Sequence, residues 1–309
     1  MIVSPCRDEE RYMRQTLDGI VAQTLRPAAW VIVDDGSTDG SPGILAEYAA
    51  QHPFIKVVRR EDRGKRAVGP GVIEAFYAGL DTVDLDDFEY LCKLDLDLEL
   101  PPAYFERAVE QMETDPDLAN FSGKPYLREK DGRLASERLG DENAVGQIKL
   151  YRTAAFKDIG GFVRQVSWDG IDGHMCRMKG WVARSEDRPD LRFIHLRQMG
   201  SSQQSLWVGR LRWGFGKYFM GSAWYYVAAV ALYRMFEKPY IMGGWGILWG
   251  YLKAMFAGVP RFENLEFRRF LRRYELASLL FGKRRAADRY HGRIRDSSSR
   301  GNALGTGKR

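Results

Sequence analysis

Short apolar runs alternate with amphipathic segments along the first 200 residues of the chain. The apolar runs have the length of buried strands, whereas the segments between them carry apolar residues at helical spacing. Strands are predicted in this way at Ile2–Ser4, Trp30–Val33, Phe54–Val58 and Tyr90–Leu94. A helix follows each of these strands in the pattern, which predicts an α/β fold with a parallel sheet covered by helices on both faces.

The alternation changes near residue 118. Further strands are predicted at Leu118–Ser122, Gly146–Tyr151, Trp181–Arg184 and Leu191–His195, and a polar stretch, Arg128–Asn143, separates the first two. A helix is predicted at Ile171–Lys179, because Gly180 follows it as a stop signal. These additions predict a mixed sheet.

The last third of the chain has a different composition, rich in Gly, Trp, Tyr and Phe. We therefore predict three parts, with boundaries at 1–200, 201–282 and 283–309. Trp and Tyr beside basic residues are typical of a membrane–water interface. The middle part is accordingly interpreted as interfacial helices, and a helical subdomain packed on the core or an oligomer contact remains an alternative. Its longest uncharged runs, Tyr218–Tyr233 and Pro239–Leu252, are shorter than the roughly 20 apolar residues that cross a bilayer.

The overall composition is that of a protein with a packed core. Hydrophobic residues make up 45% of the 309 residues and charged residues 28%, which argues against general disorder, collagen and coiled coil. Three cysteines, an odd number at distant positions, argue against a disulfide scaffold and favour a reducing compartment. No signal peptide is recognisable after Met1, so we expect a cytoplasmic protein, although the natural start of the chain could lie upstream.

The positive charge is concentrated at the end of the chain. Residues 261–309 contain 14 Lys and Arg and 5 Asp and Glu, a balance of +9, which leaves −3 on the first 260 residues of a chain whose net charge is +6. A basic terminus suits an anionic surface such as lipid or nucleic acid, or it is a solvated and disordered tail. The acidic body argues against a broad nucleic-acid-binding face.

Two strands of the predicted parallel sheet end in carboxylates. Asp34 and Asp35 follow one strand on a Gly/Ser turn, and Asp95 and Asp97 follow another at a spacing that points both to one side. Ligands bind outside the carboxyl ends of the strands in open parallel sheets. Oxygen ligands of this kind suit Mg²⁺ or Mn²⁺. The alternatives are a helix-capping turn and an exposed acidic strand end.

A third acidic segment lies about 70 residues later. Asp169 falls at or near a helix start, and Asp172 lies one turn further along the same helix. Such a carboxylate could act as a general base beside a sugar acceptor, or Asp169 could simply cap the helix.

Taken together, these segments resemble the inverting family 2 glycosyltransferases of the GT-A fold. The resemblance covers about residues 1–200 and rests on the order and spacing of four segments. These are Val3–Glu10, Val33–Asp39, Lys93–Asp97, and Gly160–Trp181 with its Gly-Gly-Phe and Trp-Asp-Gly-Ile-Asp motifs. It implies a Rossmann-like nucleotide-diphospho-sugar transferase domain followed by the helical, aromatic-rich extension.

The resemblance implies a role for each motif residue. Asp35 would bind the nucleotide base in a pocket lined by Ser4 and Pro5, with Asp34 beside it. On the diphosphate side, Lys65 or Arg66 would contact the ribose or diphosphate, Asp95 would contact the ribose and a metal ion, and Asp97 and His195 would be metal ligands. On the acceptor side, Asp169 would be the general base. Asp172 is the competing candidate, because Trp168-Asp169 replaces the usual Glu-Asp pair.

The implied reaction is a single inverting displacement at the anomeric carbon. A nucleotide-sugar would donate the sugar to a hydroxyl of a saccharide or lipid-linked saccharide, as in bacterial polysaccharide assembly, with Mn²⁺ or Mg²⁺ offsetting the charge of the leaving diphosphate. The site would work at the inner face of the cytoplasmic membrane, through peripheral contact. Two alternatives remain open, a nucleotidyltransferase that makes a nucleotide-sugar and a relative without activity. The first would need a Gly-rich basic loop after the first strand, where residues 5–10 are acidic and lack Gly.

Overall fold

A computed structural model describes residues 1–64, 69–197, 206–236 and 240–291. The chain forms two compact units. The first comprises Met1–Asp169 and Ala183–Met199, and the second comprises Gly170–Val182 and Gly200–Arg309. The predicted boundaries at 200 and 282 remain predictions, and the stretch 170–182 belongs by its contacts to the second unit.

The eight predicted strands are present nearly in position, and three short strands were not predicted. In chain order the strands are β1 Ile2–Cys6, β2 Trp30–Asp34, β3 Ile55–Arg59, β4 Tyr90–Leu94, β5 Leu98–Glu99, β6 Leu118–Ser122, β7 Pro125–Arg128, β8 Leu134–Ser136, β9 Ile148–Arg152, β10 Val182–Ser185 and β11 Phe193–His195.

The main sheet has seven strands in the order β10-β6-β9-β4-β1-β2-β3. Strands β1 to β4 run parallel, as predicted, and β9 runs antiparallel to both β4 and β6, so the sheet is mixed. The chain fills one side of β1 with β2 and β3 and then crosses to place β4 on the other side. This reversal creates a crevice at the carboxyl ends of β1 and β4, which is where open α/β sheets bind ligands.

A second, four-stranded sheet in the order β5-β11-β7-β8 was not predicted. Strands β7 and β8 form a hairpin across the start of the polar stretch Arg128–Asn143. β8 lies within that stretch, which carries too few apolar residues to show a strand pattern. Strand β11 pairs with β5 so that His195 lies opposite Leu98. The pairing brings the end of β11 beside the acidic segment that follows β4.

A helix follows each of β1 to β4, as predicted. In chain order the helices are α1 Met13–Val21, α2 Ser41–Gln51, α3 Pro70–Leu80, α4 Tyr104–Thr114, α5 Thr153–Asp158, α6 Trp168–Lys179, α7 Leu206–Met220, α8 Trp224–Met235, α9 Tyr240–Phe256 and α10 Leu265–Phe281. Helix α6 begins three residues earlier than predicted, so Asp169 lies in its first turn.

The start of the basic tail is not disordered. Residues 283–291 are helical, which corrects the expectation of disorder for that stretch, and residues 292–309 lie outside the described residues. Ala286 is fully buried, and the Tyr290 ring packs against the rings of Phe270 and Tyr274. These apolar anchors offset the entropy lost on ordering a charged segment. None of the helices in the described ranges combines the length and apolarity needed to cross a membrane.

Helices α7 and α9 of the second unit pack at unusually short range. A side-chain carbon added at Gly250 would lie 2.1 Å from the carbonyl oxygen of Leu211, and one added at Gly214 would lie 2.0 Å from that of Ile247. Only glycine allows this approach, since any side chain would force the two backbones apart. The crossing places Ile247 and Tyr251 in a buried cluster with Tyr218 and Val227.

Gly250→Ala should therefore destabilise the protein by about 1–3 kcal/mol, because the added methyl group overpacks a backbone contact. Gly209→Ala, in α7, is the matched control: within the described part of the chain its methyl group meets nothing within 4 Å, and helix propensity alone should stabilise the protein by up to about 1 kcal/mol. Denaturant unfolding of both variants gives the comparison. Equal effects at the two positions would contradict the close crossing.

Candidate active site

Asp95 and Asp97 lie directly after β4, at the crevice formed by the reversal of strand order. The backbone N–H of Asp95 donates to the carbonyl of Gln147 at 2.8 Å, and the carbonyl of Asp97 accepts from the N–H of Leu196 at 2.9 Å. The acidic segment is thus fixed between the start of β9 and the end of β11. The side chain of Asp97 is buried, whereas that of Asp95 is partly exposed.

The Asp97 carboxylate is held by two cationic side chains. Arg197 Nε lies 2.5 Å from Asp97 Oδ2, and His195 Nε2 lies 3.4 Å from the same oxygen. Arg197 also donates to Glu9 at 2.6 Å. Burial alone would raise the pKa of Asp97, but the hydrogen bond from His195 and the charge of Arg197 outweigh burial and hold the pKa below its ordinary value.

His195 is oriented from its other side by Glu137. Its Nδ1 lies 3.0 Å from Glu137 Oε2, and both side chains are nearly fully buried. Burial would lower the pKa of His195, yet its hydrogen bonds to Asp97 and Glu137 raise it to about 9. Sequence reasoning missed Glu137 and Arg197, since no motif marks either residue and only the pairing of the second sheet brings them here.

The chemistry of this cluster fits a divalent cation in part. Asp97 Oδ1 is buried and has no hydrogen-bond partner, so an oxygen is available. His195 Nε2, which donates to the other oxygen of Asp97, could bind a cation only after releasing its proton. A carboxylate on the second ring nitrogen is the usual support of a metal-ligating histidine. Among the described side chains, no three His, Cys, Asp or Glu groups form a ready-made ion site. Ligands from a substrate diphosphate would have to complete the coordination.

Lys93 connects Asp95 to the start of β9. It is almost completely buried, and its Nζ donates to Asp95 Oδ1 at 2.5 Å and to the carbonyl of Gly146 at 2.8 Å. A buried ammonium group requires such partners, because burying an unpaired charge is costly. The position of the Asp95 carboxylate is therefore tied to that of Gly146.

Asp169 lies on the other side of Gly146. A side-chain carbon added at Gly146 would be 2.9 Å from Asp169 Oδ2, so the absence of a side chain there makes room for this carboxylate. The backbone carbonyl of Asp169 accepts from Asn143 Nδ2 at 2.6 Å and from Lys149 Nζ at 2.9 Å. These two contacts fix the first turn of α6, and Asp169 itself remains partly exposed.

Asp172, the competing candidate for the base, has a different environment. It belongs to the second unit, its side chain is 1% exposed, and its Oδ1 accepts from the backbone N–H of Gly173 at 2.6 Å. A carboxylate buried in this way is typical of a structural role.

Asp34 and Asp35 have separate functions in the turn after β2. Asp34 is buried, and its Oδ1 accepts from the backbone N–H of Ser37 at 2.8 Å, which shapes the turn. The Asp35 carboxylate accepts from Arg60 at 2.6 Å and from Arg63 at 2.6 and 2.7 Å. Of the two, only Asp35 is presented to neighbouring cationic side chains of the 60–63 loop.

A cavity of about 420 Å³ adjoins this turn and is lined by Gly36, Ser37 and the stretch 59–62. Arg7 holds the two loops together by donating to the carbonyl of Asp35 at 2.7 Å and to Asp62 Oδ1 at 2.6 Å. Gly36 has a φ of +76°, and a side-chain carbon there would lie 2.5 Å from Asp62 Cα. The cavity wall therefore requires glycine at this position.

The remaining residues predicted to bind the donor are Ser4, Pro5, Lys65 and Arg66. Ser4 is fully buried, and its hydroxyl accepts from Trp30 Nε1 at 2.9 Å, so it is bonded within the sheet. Pro5 is partly exposed near the end of β1. Lys65 and Arg66 lie outside the described residues.

Comparison with known proteins points to one family. The model of glycosyl transferase family 2 matches residues 1–168. An uncharacterized protein of Mycobacterium tuberculosis is 42% identical over 77 residues, 24% of this chain and 22% of that protein. A poly-beta-1,6-N-acetyl-D-glucosamine synthase of Staphylococcus aureus is 27% identical over 152 residues, 48% of this chain and 34% of the synthase. The chain thus spans well under half the length of these relatives.

The fold is that of a solved mannosyltransferase. The structure of PcManGT from Pyrobaculum calidifontis, in complex with GDP-Man and Mn²⁺, aligns over 94% of this chain and 86% of its own, with a TM-score of 0.52 and 17% identity. The GT-A fold predicted from the motifs is confirmed.

Gly36→Ala should weaken nucleotide binding at least tenfold and lower the free energy of unfolding by about 2–4 kcal/mol, because backbone strain and overpacking against Asp62 act together. Gly64→Ala is the matched control. It has a φ of +71°, but no atom of the described residues lies within 4 Å of the added carbon, so it should show only the strain, about 1–2 kcal/mol. Calorimetric titration with nucleoside diphosphates and denaturant unfolding test this. Unchanged nucleotide binding in Gly36→Ala would show that the nucleotide does not bind in this cavity.

Proposed function

Because the chain belongs to glycosyl transferase family 2, we propose that it transfers a sugar, with inversion, from a nucleotide-diphospho-sugar to an acceptor hydroxyl. The observation that carries this proposal is the connection through Gly146. Its carbonyl accepts from Lys93, which holds Asp95, and its Cα faces the Asp169 carboxylate. A donor-side carboxylate and a candidate base thus meet across one glycine.

The nucleotide would bind between the turn after β2 and the 60–63 loop. Asp35 would accept a hydrogen bond from the base or ribose, in exchange for its present bonds to Arg60 and Arg63. The guanidinium groups would then be available to the anionic diphosphate, for which bidentate arginine is suited. Lys65 and Arg66 follow in the same loop and would add to this positive surface.

The diphosphate leaving group would be stabilised near Asp95 and Asp97. A divalent ion, Mn²⁺ or Mg²⁺, would be held by Asp97 and His195 with Asp95 beside it, and would supply Lewis-acid stabilisation of the departing charge. Arg197 and Glu137 would fix the two protein ligands from behind. Burial raises the pKa of Asp95, and Lys93 would oppose that shift and keep the carboxylate oriented toward the donor.

Asp169 would act as the general base. It would take the proton of the acceptor hydroxyl while the oxygen attacks the anomeric carbon from the face opposite the diphosphate. Partial exposure favours Asp169 over Asp172, because the acceptor must reach the base. Asn143 and Lys149 hold its backbone, which keeps the carboxylate near Gly146 during the reaction.

The acceptor would be a saccharide or a lipid-linked saccharide, approached from a membrane surface. Large apolar side chains are exposed on α8 and α9, including Trp224, Tyr233, Phe236, Trp245 and Phe256. Trp and Tyr in this setting favour the membrane–water interface. We therefore propose peripheral contact with the inner face of the cytoplasmic membrane, in polysaccharide or envelope glycan synthesis, and no nucleic-acid partner.

No contact in the described structure favours the nucleotidyltransferase alternative. The loop after β1 uses Arg7 and Glu9 to brace Asp62 and Arg197, and it has no glycine-rich anion cradle. A relative without activity would be recognised by donor binding without turnover.

Asp169→Asn should lower kcat by about 10²–10⁴-fold, the usual contribution of a general base, and leave the dissociation constant of the donor unchanged. Asp172→Asn should retain activity within a few fold, since an amide oxygen still accepts from Gly173. Rapid-quench measurements of sugar transfer, with donor binding measured separately, distinguish the two. The reverse ranking would assign the base to Asp172.

Release of nucleoside diphosphate from a panel of nucleotide-sugars, in detergent with a membrane extract as the acceptor source, should occur for one donor. We expect EDTA to abolish it and Mn²⁺ or Mg²⁺ to restore it. Asp97→Asn should reduce metal-restored release at least a hundredfold, because an oxyanion ligand near the leaving group is lost. Asp87→Asn, at an exposed position, is the control. Full release in EDTA would refute the requirement for a metal ion. No release from any donor would refute the proposed transferase activity.

A further inference from the structure

The second unit contains a cavity that the proposed sugar transfer does not use. It measures about 290 Å³ and is lined by the turn 222–225 between α7 and α8, together with Tyr251, Arg261 and Arg272. Tyr251 closes one wall by donating its hydroxyl hydrogen to the carbonyl of Ser222 at 3.1 Å. All of these residues belong to the same compact unit.

The arginines around this cavity lack a carboxylate partner. Arg261 Nε is buried without a hydrogen-bond partner, and its guanidinium lies over the Tyr218 ring at 4.6 Å from the centroid. Arg272 uses only Nε, which lies 3.3 Å from the carbonyl of Gly221. The side chain of Arg268 packs against the same glycine, and its Nε is also buried and unpartnered. Within the described ranges, none of the three forms a salt bridge.

One acidic side chain lies near these arginines. Glu275 is buried, and its Oε2 accepts from the backbone N–H of Ala223 at 2.9 Å. Burial raises its pKa, while Lys217 and Arg272 oppose the shift. Glu275 is the acidic group that the structure describes in contact with this turn, and three guanidinium groups lie around the same turn, which gives an excess of positive charge. Such a cluster is unfavourable unless an anion joins it.

The cavity opens beside the exposed aromatic side chains of the second unit. Trp224 and Tyr225 line the cavity, and Trp224 is 72% exposed. The segment 206–262, which contains the turn, has seven Lys and Arg and one acidic residue, Glu237. Exposed Trp and Tyr with a nearly acid-free basic surface suit an anionic lipid surface. A dimer interface would not require this charge imbalance.

We propose that this cavity binds the exposed phosphate monoester of a lipid headgroup. The inference rests on the membrane contact proposed above and specifies its chemistry. Arg261 and Arg272 would donate to the phosphate oxygens, a geometry in which arginine forms paired charge-assisted hydrogen bonds. The aromatic side chains at the rim would lie among the acyl chains and headgroups. The volume accommodates a phosphate group with its ester carbon.

The test is binding of the full chain to three vesicles of matched size in 150 mM salt. These contain phosphatidylcholine alone, phosphatidylcholine with phosphatidic acid, or phosphatidylcholine with phosphatidylserine at the same surface potential. We expect phosphatidic acid vesicles to bind at least tenfold more tightly than phosphatidylserine vesicles. Equal binding to the two would overturn the site, because general charge would then account for the attraction.

Two double variants isolate the cavity from net charge. Arg261→Gln with Arg272→Gln should abolish the tenfold preference for phosphatidic acid. Arg269→Gln with Arg273→Gln removes the same charge from exposed positions of α10 and should preserve the preference. Arg272→Gln alone, also at an exposed position, should reduce the preference at least threefold without disturbing the packing of Arg261 on Tyr218. An unchanged preference in both cavity variants would refute the proposal.

Further measurements distinguish a lipid headgroup from a free phosphate ester, and the headgroup site from the membrane contact and the sugar transfer proposed above. Saturable binding of glycerol phosphate without vesicle binding would overturn the lipid source, as would a stable dimer that binds no vesicle. Tight binding to all three vesicles would sustain the membrane contact and refute only the headgroup site. Release of nucleoside diphosphate in detergent does not depend on this cavity, so its failure would refute the proposed transferase separately.

Discussion

The buried carboxylate of Asp97 is the constraint on which the candidate active site depends. Removing an ionised group from water is costly, and the cost is offset only by well-placed partners. Arg197 and His195 provide them, and Glu9 and Glu137 then hold these cations in turn. The second sheet, the loop after β1 and the end of β11 are thereby fixed around one acidic strand end. The members of this network depend on one another, because removing one partner would leave a buried charge unpaired.

Lys93 is a second buried charge that needs partners, and it lies toward the proposed acceptor side. Its buried ammonium requires two oxygen partners, and these are Asp95 and the carbonyl of Gly146. The ring of Trp168 lies within cation–π distance of both Lys93 and Lys149, at 5.3 and 5.6 Å. The start of α6, and with it Asp169, is therefore positioned by the charges that organise the donor-side carboxylates. The residues proposed to bind the donor and the residue proposed as the base therefore share one network of charges.

The packing of the second unit depends on close contact between helix backbones rather than on buried charges. Gly214 and Gly250 allow α7 and α9 to approach until main-chain atoms touch. Large side chains that would otherwise fill such an interface are instead exposed on the outer faces, as at Trp245 and Phe256. Exposed large apolar side chains concentrated in one unit are typical of an interaction site. The arginines beside them favour an anionic partner, as proposed above.

The sequence by itself determined the sheet, its helices and the strand-end carboxylates, because burial periodicity and strand-end motifs are local signals. Asp35, Asp95, Asp97 and Asp169 could be identified in this way. Only the tertiary structure decided what surrounds them. Glu137 and Arg197 lie in segments without apolar periodicity, and Lys93 resembles any polar residue in a strand. Their roles depend on contacts between residues 53 to 188 positions apart, such as Lys93 with Gly146 and Arg197 with Glu9. No local pattern encodes which buried charges will meet.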